Sequence, residues 1–223
     1  MDPEPLFAEA RQEMLEQIAL HTQMASDVIH TESLSASVMD AMGTVPRHEF
    51  VPDELRAFAY LDQPLPIGCG KTISQPFIVA LMTHLLDVQR EDTVLDVGTG
   101  LGYQAAILAT LAGHVYSSEI VPELAHEATT RLNRLGFNNV DVRTGDGCRS
   151  WACEAPFDKA LVAAAAELIP VPLLEQLKPG GRMVIPCGLP ELQHLTLVTK
   201  NARGSISTEE VLPVLFSSLV IVH

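Results

Sequence analysis

Apolar positions along the chain change their period twice. Leu6, Ala10, Met14 and Ile18 recur every four residues, and Leu34, Val38 and Met42 do the same. That spacing sets each group on one helical face and predicts helix across residues 5–42. Thr31 is placed to cap a second helix in this stretch and Gly43 to stop it. From Thr44 to Pro76 the rhythm is lost. Pro46, Pro52, Pro64, Pro66, Gly68, Gly70 and Pro76 crowd the segment, and so long a loop is unusual unless it is functional. Helix resumes after Ser74, with Pro76 in its first turn and Ile78, Met82 and Leu85 on one face.

From Thr93 the pattern becomes strand, helix, strand. Val94-Leu95-Asp96-Val97 reads as a buried strand, Gly98 to Gly102 as a tight turn and Tyr103 to Ala112 as a helix. Val115 to Ser118, Val140 to Arg143 and Asp158 to Val162 read as further strands. Helices at Pro122 to Leu135 and Val171 to Leu177 separate them, the first ended by Gly136. Lys178-Pro179-Gly180-Gly181 reads as a turn into a strand at Arg182 to Ile185. Leu195 to Thr199 and Val211 to Val222 close the chain as late strands, joined around Asn201 to Gly204. Alternating β and α units predict a parallel sheet covered on both faces. The closing hairpin adds an antiparallel edge.

With 223 residues, 47% of them hydrophobic and 19% charged, the chain has the makings of one compact domain with a real core. Within it, residues 1–76 read as N-terminal helices and a substrate loop, and residues 77–223 as a cofactor-binding core. The 14 basic and 28 acidic side chains leave a net charge of −14. Such a balance excludes a sequence-independent grip on nucleic-acid phosphates, which needs clustered Lys and Arg. No apolar run reaches the length of a membrane span. Met1-Asp2-Pro3-Glu4 has neither the basic nor the apolar region of a secretory signal. Cys69, Cys148, Cys153 and Cys187 form no CxxC pair and no metal-ligand spacing. A reducing cytoplasmic setting, with no metal, is the simplest expectation.

Three features carry the chemistry. Asp96-Val97-Gly98-Thr99-Gly100-Leu101-Gly102 follows the first core strand. Its glycines allow a sharp strand-to-helix turn on which a ligand can rest against backbone. The G-x-G-x-G spacing, and the acid before it, depart from the G-x-G-x-x-G that seats a dinucleotide pyrophosphate. Glu119 ends the next strand, 23 residues after Asp96. There it could accept the two hydroxyl hydrogens of a ribose, or simply favour the start of the following helix. Gly145-Asp146-Gly147 follows the third strand, where Asp146 either bonds an adenine amino group or makes an ordinary turn. All three stand at the C-terminal ends of successive strands, where open α/β sheets bind ligands. Together they point to S-adenosylmethionine as cofactor, with Asp96, Gly98, Gly100, Gly102, Glu119, Asp146 and Gly147 around it.

Arg47-His48-Glu49-Phe50-Val51-Pro52, Tyr60-Leu61-Asp62, Pro64-Leu65-Pro66-Ile67-Gly68 and Thr72-Ile73-Ser74-Gln75-Pro76 precede that core. With Leu177 to Gly188 behind it, the chain resembles the protein-L-isoaspartate O-methyltransferases from about Pro46 to Gly188. That family carries R-H-x-F-V-P, Y-x-D-x-P-L-P-I-G, T-I-S-Q-P, V-L-D-V-G-T-G-x-G-Y, G-D-G and L-K-P-G-G-R-x-V-I-P-x-G in this order. The T-I-S-Q-P segment is not a general methyltransferase feature. The resemblance implies a doubly wound, mostly parallel sheet of the class I methyltransferase (Rossmann-like) type, with an antiparallel edge and N-terminal helices. It implies a monomeric cytoplasmic repair enzyme that binds neither nucleic acid nor membrane. Such enzymes methylate the α-carboxylate of L-isoaspartyl residues in damaged proteins and peptides, releasing S-adenosylhomocysteine.

On these residues the resemblance places Ser74 as the catalytic residue, Thr72, Ile73 and Asp62 at the substrate, and Gln75 with the cofactor. A carboxylate acceptor is already ionised at pH 7, with a reference pKa near about 4, so no general base is needed. Ser74 could donate to that carboxylate or merely N-cap the helix that begins near Pro76. Lys71 stands where the family often has Gln. Val162-Ala163-Ala164-Ala165 lacks the hydroxyl of the usual Thr-Ala-Ala. Val214-Leu215-Phe216-Ser217-Ser218-Leu219 replaces the common V-R-F-V-P-L. Two other readings use the same fold: a carboxyl methyltransferase for a different peptide aspartate, and a non-catalytic S-adenosylmethionine-binding adaptor.

Overall fold

A computed structural model describes residues 4–221. Met1 to Pro3, Val222 and His223 lie outside the described residues. Three N-terminal helices, α1 (Glu4–Met24), α2 (Ser26–Ile29) and α3 (Ala36–Thr44), lead into two 3₁₀ turns at Arg47–Phe50 and Asp53–Phe58. A small hairpin of β1 (Leu65–Gly68) and β2 (Lys71–Ile73) then delivers the chain to α4 (Pro76–Leu86). The core continues as β3 (Thr93–Val97), α5 (Tyr103–Leu111), β4 (His114–Glu119), α6 (Pro122–Arg134) and β5 (Val140–Thr144). It ends as β6 (Phe157–Val162), α7 (Val171–Glu175), β7 (Leu177–Leu189), β8 (Leu192–Lys200) and β9 (Ile206–Val214).

Seven strands form one sheet in the order β5-β4-β3-β6-β7-β8-β9. The pairings from β5 through β7 are parallel, and β8 runs antiparallel to both β7 and β9. This is the doubly wound, mostly parallel sheet with an antiparallel edge that the alternation predicts. Strand order reverses between β3 and β6, which opens a crevice beyond their C-terminal ends.

Period-2 alternation sorts the core onto two faces. Val94, Leu161 and Val184 join one apolar cluster with α4, α5 and the N-terminal helices. Their neighbours Leu95, Ala160, Val162, Met183 and Ile185 join a second cluster with Trp151, Phe157 and Leu173. The first cluster runs from Met14 to Val211, so the N-terminal helices share a core with the sheet. In α1, Met14 and Ile18 are buried, whereas Leu6 is exposed. The neighbouring Phe7 turns inward instead and stacks on His48, centroids 3.9 Å apart.

Four local expectations are corrected. Thr31 caps no helix: its hydroxyl bonds the Ser33 carbonyl, and α3 starts after Ser35. Gly43 does not stop α3, which runs on to Thr44 and ends ahead of Pro46, the residue type that disfavours helix before it. Lys178 to Gly181 form a bulge inside β7 rather than a turn before it. The last strand is Ile206–Val214, not Val211 to Val222. Beyond Val214 the chain leaves the sheet, and Ser218 returns only as an isolated bridge to Ala165.

Candidate functional site

The β3–α5 turn forms the floor of the crevice. Gly98, Gly100 and Gly102 all hold positive φ, of 95°, 55° and 100°, which L side chains rarely adopt. A Cβ on Gly147 would stand 2.1 Å from Val97 Cγ1, so the chain after β5 can cross β3 only without one. Glu119 is buried and braces the turn from the end of β4. One carboxylate oxygen accepts the Gly100 N–H at 2.8 Å, and the other accepts the Val121 N–H at 3.0 Å. Each oxygen keeps a further lone pair for a ligand.

Asp96 lies beneath the turn, fully buried. Ser117 Oγ donates to one of its oxygens at 2.6 Å and stands 2.6 Å from the Thr99 hydroxyl. The other oxygen, Oδ1, is buried without a hydrogen-bond partner among the described residues. Burial pushes the Asp96 carboxyl up to about 7; the Ser117 bond opposes that rise and the nearby Glu119 charge adds to it.

The β1–β2 hairpin and its exit form the roof. Ser74 lies between β2 and α4, and its hydroxyl makes no hydrogen bond among the described residues. It does not cap α4: the cap position is Gln75, and no side chain of its own caps the helix from there. The capping is done from a distance by Asp62. One oxygen of Asp62 accepts the Phe77 N–H at 2.8 Å, and the other accepts the Gln75 side-chain amide at 3.0 Å. His21 on α1 pairs with that second oxygen. Of the two sequence readings of Ser74, the helix-capping one is therefore removed.

A cleft of about 640 Å³ separates floor and roof, within the range of about 300–1,000 Å³ that small ligands occupy. Thr72, Ile73, Ser74, Gln75, Gly98, Gly100, Glu119 and Gly147 line it. Asp62, Asp96, Gly102 and Asp146 do not. Asp62 supports the roof, Asp96 supports the floor, and Gly102 caps α5 against Leu132. Asp146 turns back to accept the Cys148 N–H at 2.8 Å.

Two groups that the motif reading did not assign complete the cleft. Residues 213–220 form a strap along one side. Ala165 N–H donates to the Ser217 carbonyl at 2.8 Å, and Leu219 N–H donates to the Ala165 carbonyl at 2.7 Å. Gln193 holds Phe216 through its side-chain amide, accepting the Phe216 N–H at 2.7 Å. The second is Arg47, which is wholly buried behind the roof. The proline-free apolar character of residues 214–221 was a signal for the strap. For Arg47 no signal beyond the R-H-x-F-V-P motif existed, because burial of a guanidinium is a tertiary fact.

Residues 19–222 match the family described as protein-L-isoaspartate(D-aspartate) O-methyltransferase. The chain is 56% identical over 216 residues to protein-L-isoaspartate O-methyltransferase 1 of Polaromonas sp., covering 97% of this chain and 92% of that one. It is 54% identical over 214 residues to protein-L-isoaspartate O-methyltransferase 2 of Syntrophobacter fumaroxidans, covering 96% and 87%. A solved protein-L-isoaspartate O-methyltransferase superposes with a TM-score of 0.79 at 25% identity, over 93% of this chain and 65% of that one. A Plasmodium falciparum structure, described as a complex with S-adenosyl-L-homocysteine, shares the fold with a TM-score of 0.76 at 24% identity, over 94% and 98%. A match over nearly the whole chain at such identity places this chain in the protein-L-isoaspartate(D-aspartate) O-methyltransferase family.

Proposed function

We propose that this chain is a protein-repair enzyme that moves a methyl group from S-adenosylmethionine to the α-carboxylate of L-isoaspartyl residues in damaged proteins and peptides. The observation that carries the reading is the Ser74 hydroxyl, without a hydrogen bond among the described residues, in the roof of a cleft floored by the β3–α5 glycines and Glu119. The residues present fit the cofactor. Glu119 offers acceptor lone pairs to vicinal hydroxyls, Gly98, Gly100 and Gly147 leave backbone open to close approach, and Ile120 and Ala163 add apolar wall. When bound, S-adenosylmethionine supplies an electrophilic methyl carried on a sulfonium.

The protein's own task is positioning and exclusion of water, which can contribute roughly 7–11 kcal/mol when two reactants are held in line. Ser74 donates its hydroxyl hydrogen to one oxygen of the acceptor carboxylate and leaves the other free to attack. Thr72 and Ile73 flank the acceptor through the loop backbone. Asp62 fixes the start of α4 and the Gln75 side chain, so that Gln75 faces the cofactor side. Asp96 and Asp146 act on the cofactor side by holding the floor and the turn after β5, and Gly102 seats α5 against it. Residues 1–76 thus supply the acceptor side and residues 77–223 the donor side. The resulting ester can close to a succinimide when the following backbone amide nitrogen displaces methanol, and water then opens part of that ring to normal aspartate.

No described helix is long and apolar enough to cross a membrane. The net charge of −14 disfavours a grip on nucleic-acid phosphates, and we read the chain as a cytoplasmic monomer acting on peptides, as the resemblance implies. The family match favours neither the adaptor nor the different-aspartate reading. The test is a pair of peptides, identical except for an isoaspartyl or an aspartyl residue, incubated with methyl-labelled S-adenosylmethionine. A base-labile methyl ester is expected on the isoaspartyl peptide alone. Equal labelling of both peptides, or of neither, overturns the reading.

A further inference from the structure

The cleft is held from behind by an arginine that touches none of its contents. Arg47 is the largest wholly buried side chain of the described residues. Its Nε donates to the Ala59 carbonyl at 2.7 Å, and Nη2 donates to the Ser74 carbonyl at 2.7 Å. Its guanidinium carbon lies 4.8 Å from the centre of the Tyr103 ring. Nη1 is buried with no hydrogen-bond partner among the described residues. No carboxylate lies within ion-pair distance of it among the described residues, although Asp62 acts on it from farther off.

Burying an arginine in this way is costly, because an unpaired buried charge loses its hydration. Structural stability alone does not call for it, since an apolar side chain would fill the same space more cheaply. What the guanidinium supplies is a rigid planar fork. One prong is fixed at Ala59, just past the second 3₁₀ segment, another on Ser74, and the flat face rests on Tyr103. Ser74 lines the roof of the cleft, and Tyr103, the first residue of α5, lines it just beyond the glycine floor. Arg47 therefore joins the two halves of the cleft through their outer sides.

We propose that Arg47 is the positioning residue for Ser74, locking the Ser74 backbone against Tyr103 so that the hydroxyl is aimed at the acceptor. The inference rests on the role given to Ser74 above. A hydroxyl three bonds from a pinned carbonyl has only its own χ1 left to settle. Freed from Arg47, the junction between β2 and Pro76 would swing about the Ser74 backbone. A displacement of about 1 Å at the reacting atoms costs up to about 100-fold in rate.

The test is a double-mutant cycle on the full chain, reading kcat and KM for an isoaspartyl peptide and the affinity for S-adenosylhomocysteine. Arg47→Lys keeps the charge but loses the fork. It is expected to lower kcat at least tenfold, to change S-adenosylhomocysteine affinity less than threefold, and to unfold cooperatively. Tyr103→Leu, which removes the face but not the fork, is expected to have the same effect in smaller measure. In a Ser74→Ala background, Arg47→Lys should lower kcat less than twofold further, because the group it aims is gone. A merely structural role predicts the opposite, equal factors in both backgrounds, and that result overturns the proposal. If Ser74→Ala alone leaves kcat unchanged, the role given to Ser74 fails and the proposal falls with it. Should Arg47→Lys not fold, the cycle is run with Tyr103→Leu, and additive factors there overturn the proposal in the same way.

Discussion

At the scale of single residues, the roof and floor of the cleft place opposite demands on two side chains. Among the described residues, the Ser74 hydroxyl in the cleft has no hydrogen-bond partner, and the buried Asp96 carboxyl has only one oxygen satisfied. Ser74→Ala should lower kcat for an isoaspartyl peptide by about 10–100-fold, as expected for a lost hydrogen bond to a charged acceptor. Cofactor affinity should stay within a fewfold, and steady-state kinetics with a titration of S-adenosylhomocysteine checks both. Asp96 carries a different signature. Its folded-state pKa of about 7 lies above the ordinary carboxyl value, so folding favours its protonated form. The associated stability is present below about pH 4 and is lost as pH rises through about 7. Relative to Asp96→Asn, the wild-type chain should therefore lose stability between pH 5 and 7, by at most about 1.4 kcal/mol per pH unit. Urea unfolding of both proteins across that range measures the difference.

At the scale of elements, the long helices and the strands from β3 to β8 are legible in outline from apolar periods and buried apolar runs, whereas β9 is not. The 3.6 and 2 repeats here coincide with real burial: Val38 and Met42 go inward in α3, as do Val94 and Leu161 in the sheet. The segment from Thr44 to Pro76 was legible only as irregular. Its 3₁₀ turns and the β1–β2 hairpin are held by partners distant in the chain, and no local pattern announces those. Asp62 makes the point. In sequence the resemblance places it at the substrate, and in the fold it caps a helix that begins at Pro76. Asp62→Ala should cost about 1 kcal/mol of stability, as for other lost helix caps. It should also raise KM for the acceptor peptide more than it weakens S-adenosylhomocysteine binding, because Gln75 loses its tether. Thermal melts and peptide saturation curves check the two parts. The end of the chain misled for a different reason. Residues 211–222 are apolar enough to be strand throughout, but among the described residues beyond Val214 the side chains of Leu215, Val220 and Ile221 are exposed, and Phe216 and Leu219 pack beside the cleft, with no neighbouring strand.

At the scale of the whole molecule, charge and shape act together on the substrate. A net charge of −14 surrounds a cleft whose lining contains one cation, Lys71, and one anion, Glu119, among the described residues. The glutamate is already engaged by two backbone N–H groups. An isoaspartyl peptide with acidic flanks must approach against the long-range field, and salt shortens that field to about 10 Å at 0.1 M. Raising ionic strength from about 0.02 to 0.2 M should therefore increase kcat/KM for an acidic peptide and decrease it for a basic one. Parallel assays of two such peptides around the same isoaspartyl site test this, and slopes of the same sign would refute it.

The strap formed by residues 213–220 is secured beyond β9 by little more than the Ala165 pair and the Gln193 amide, with Leu215 80% exposed. Segments with so few attachments detach on their own, well below the free energy at which a domain comes apart. Deuterium should therefore enter the amides of Phe216 and Leu219 long before those of Val94 and Leu95 in β3, and more slowly once S-adenosylhomocysteine is added. A strap that opens first would uncover one flank of the cleft while the roof stays joined to α4.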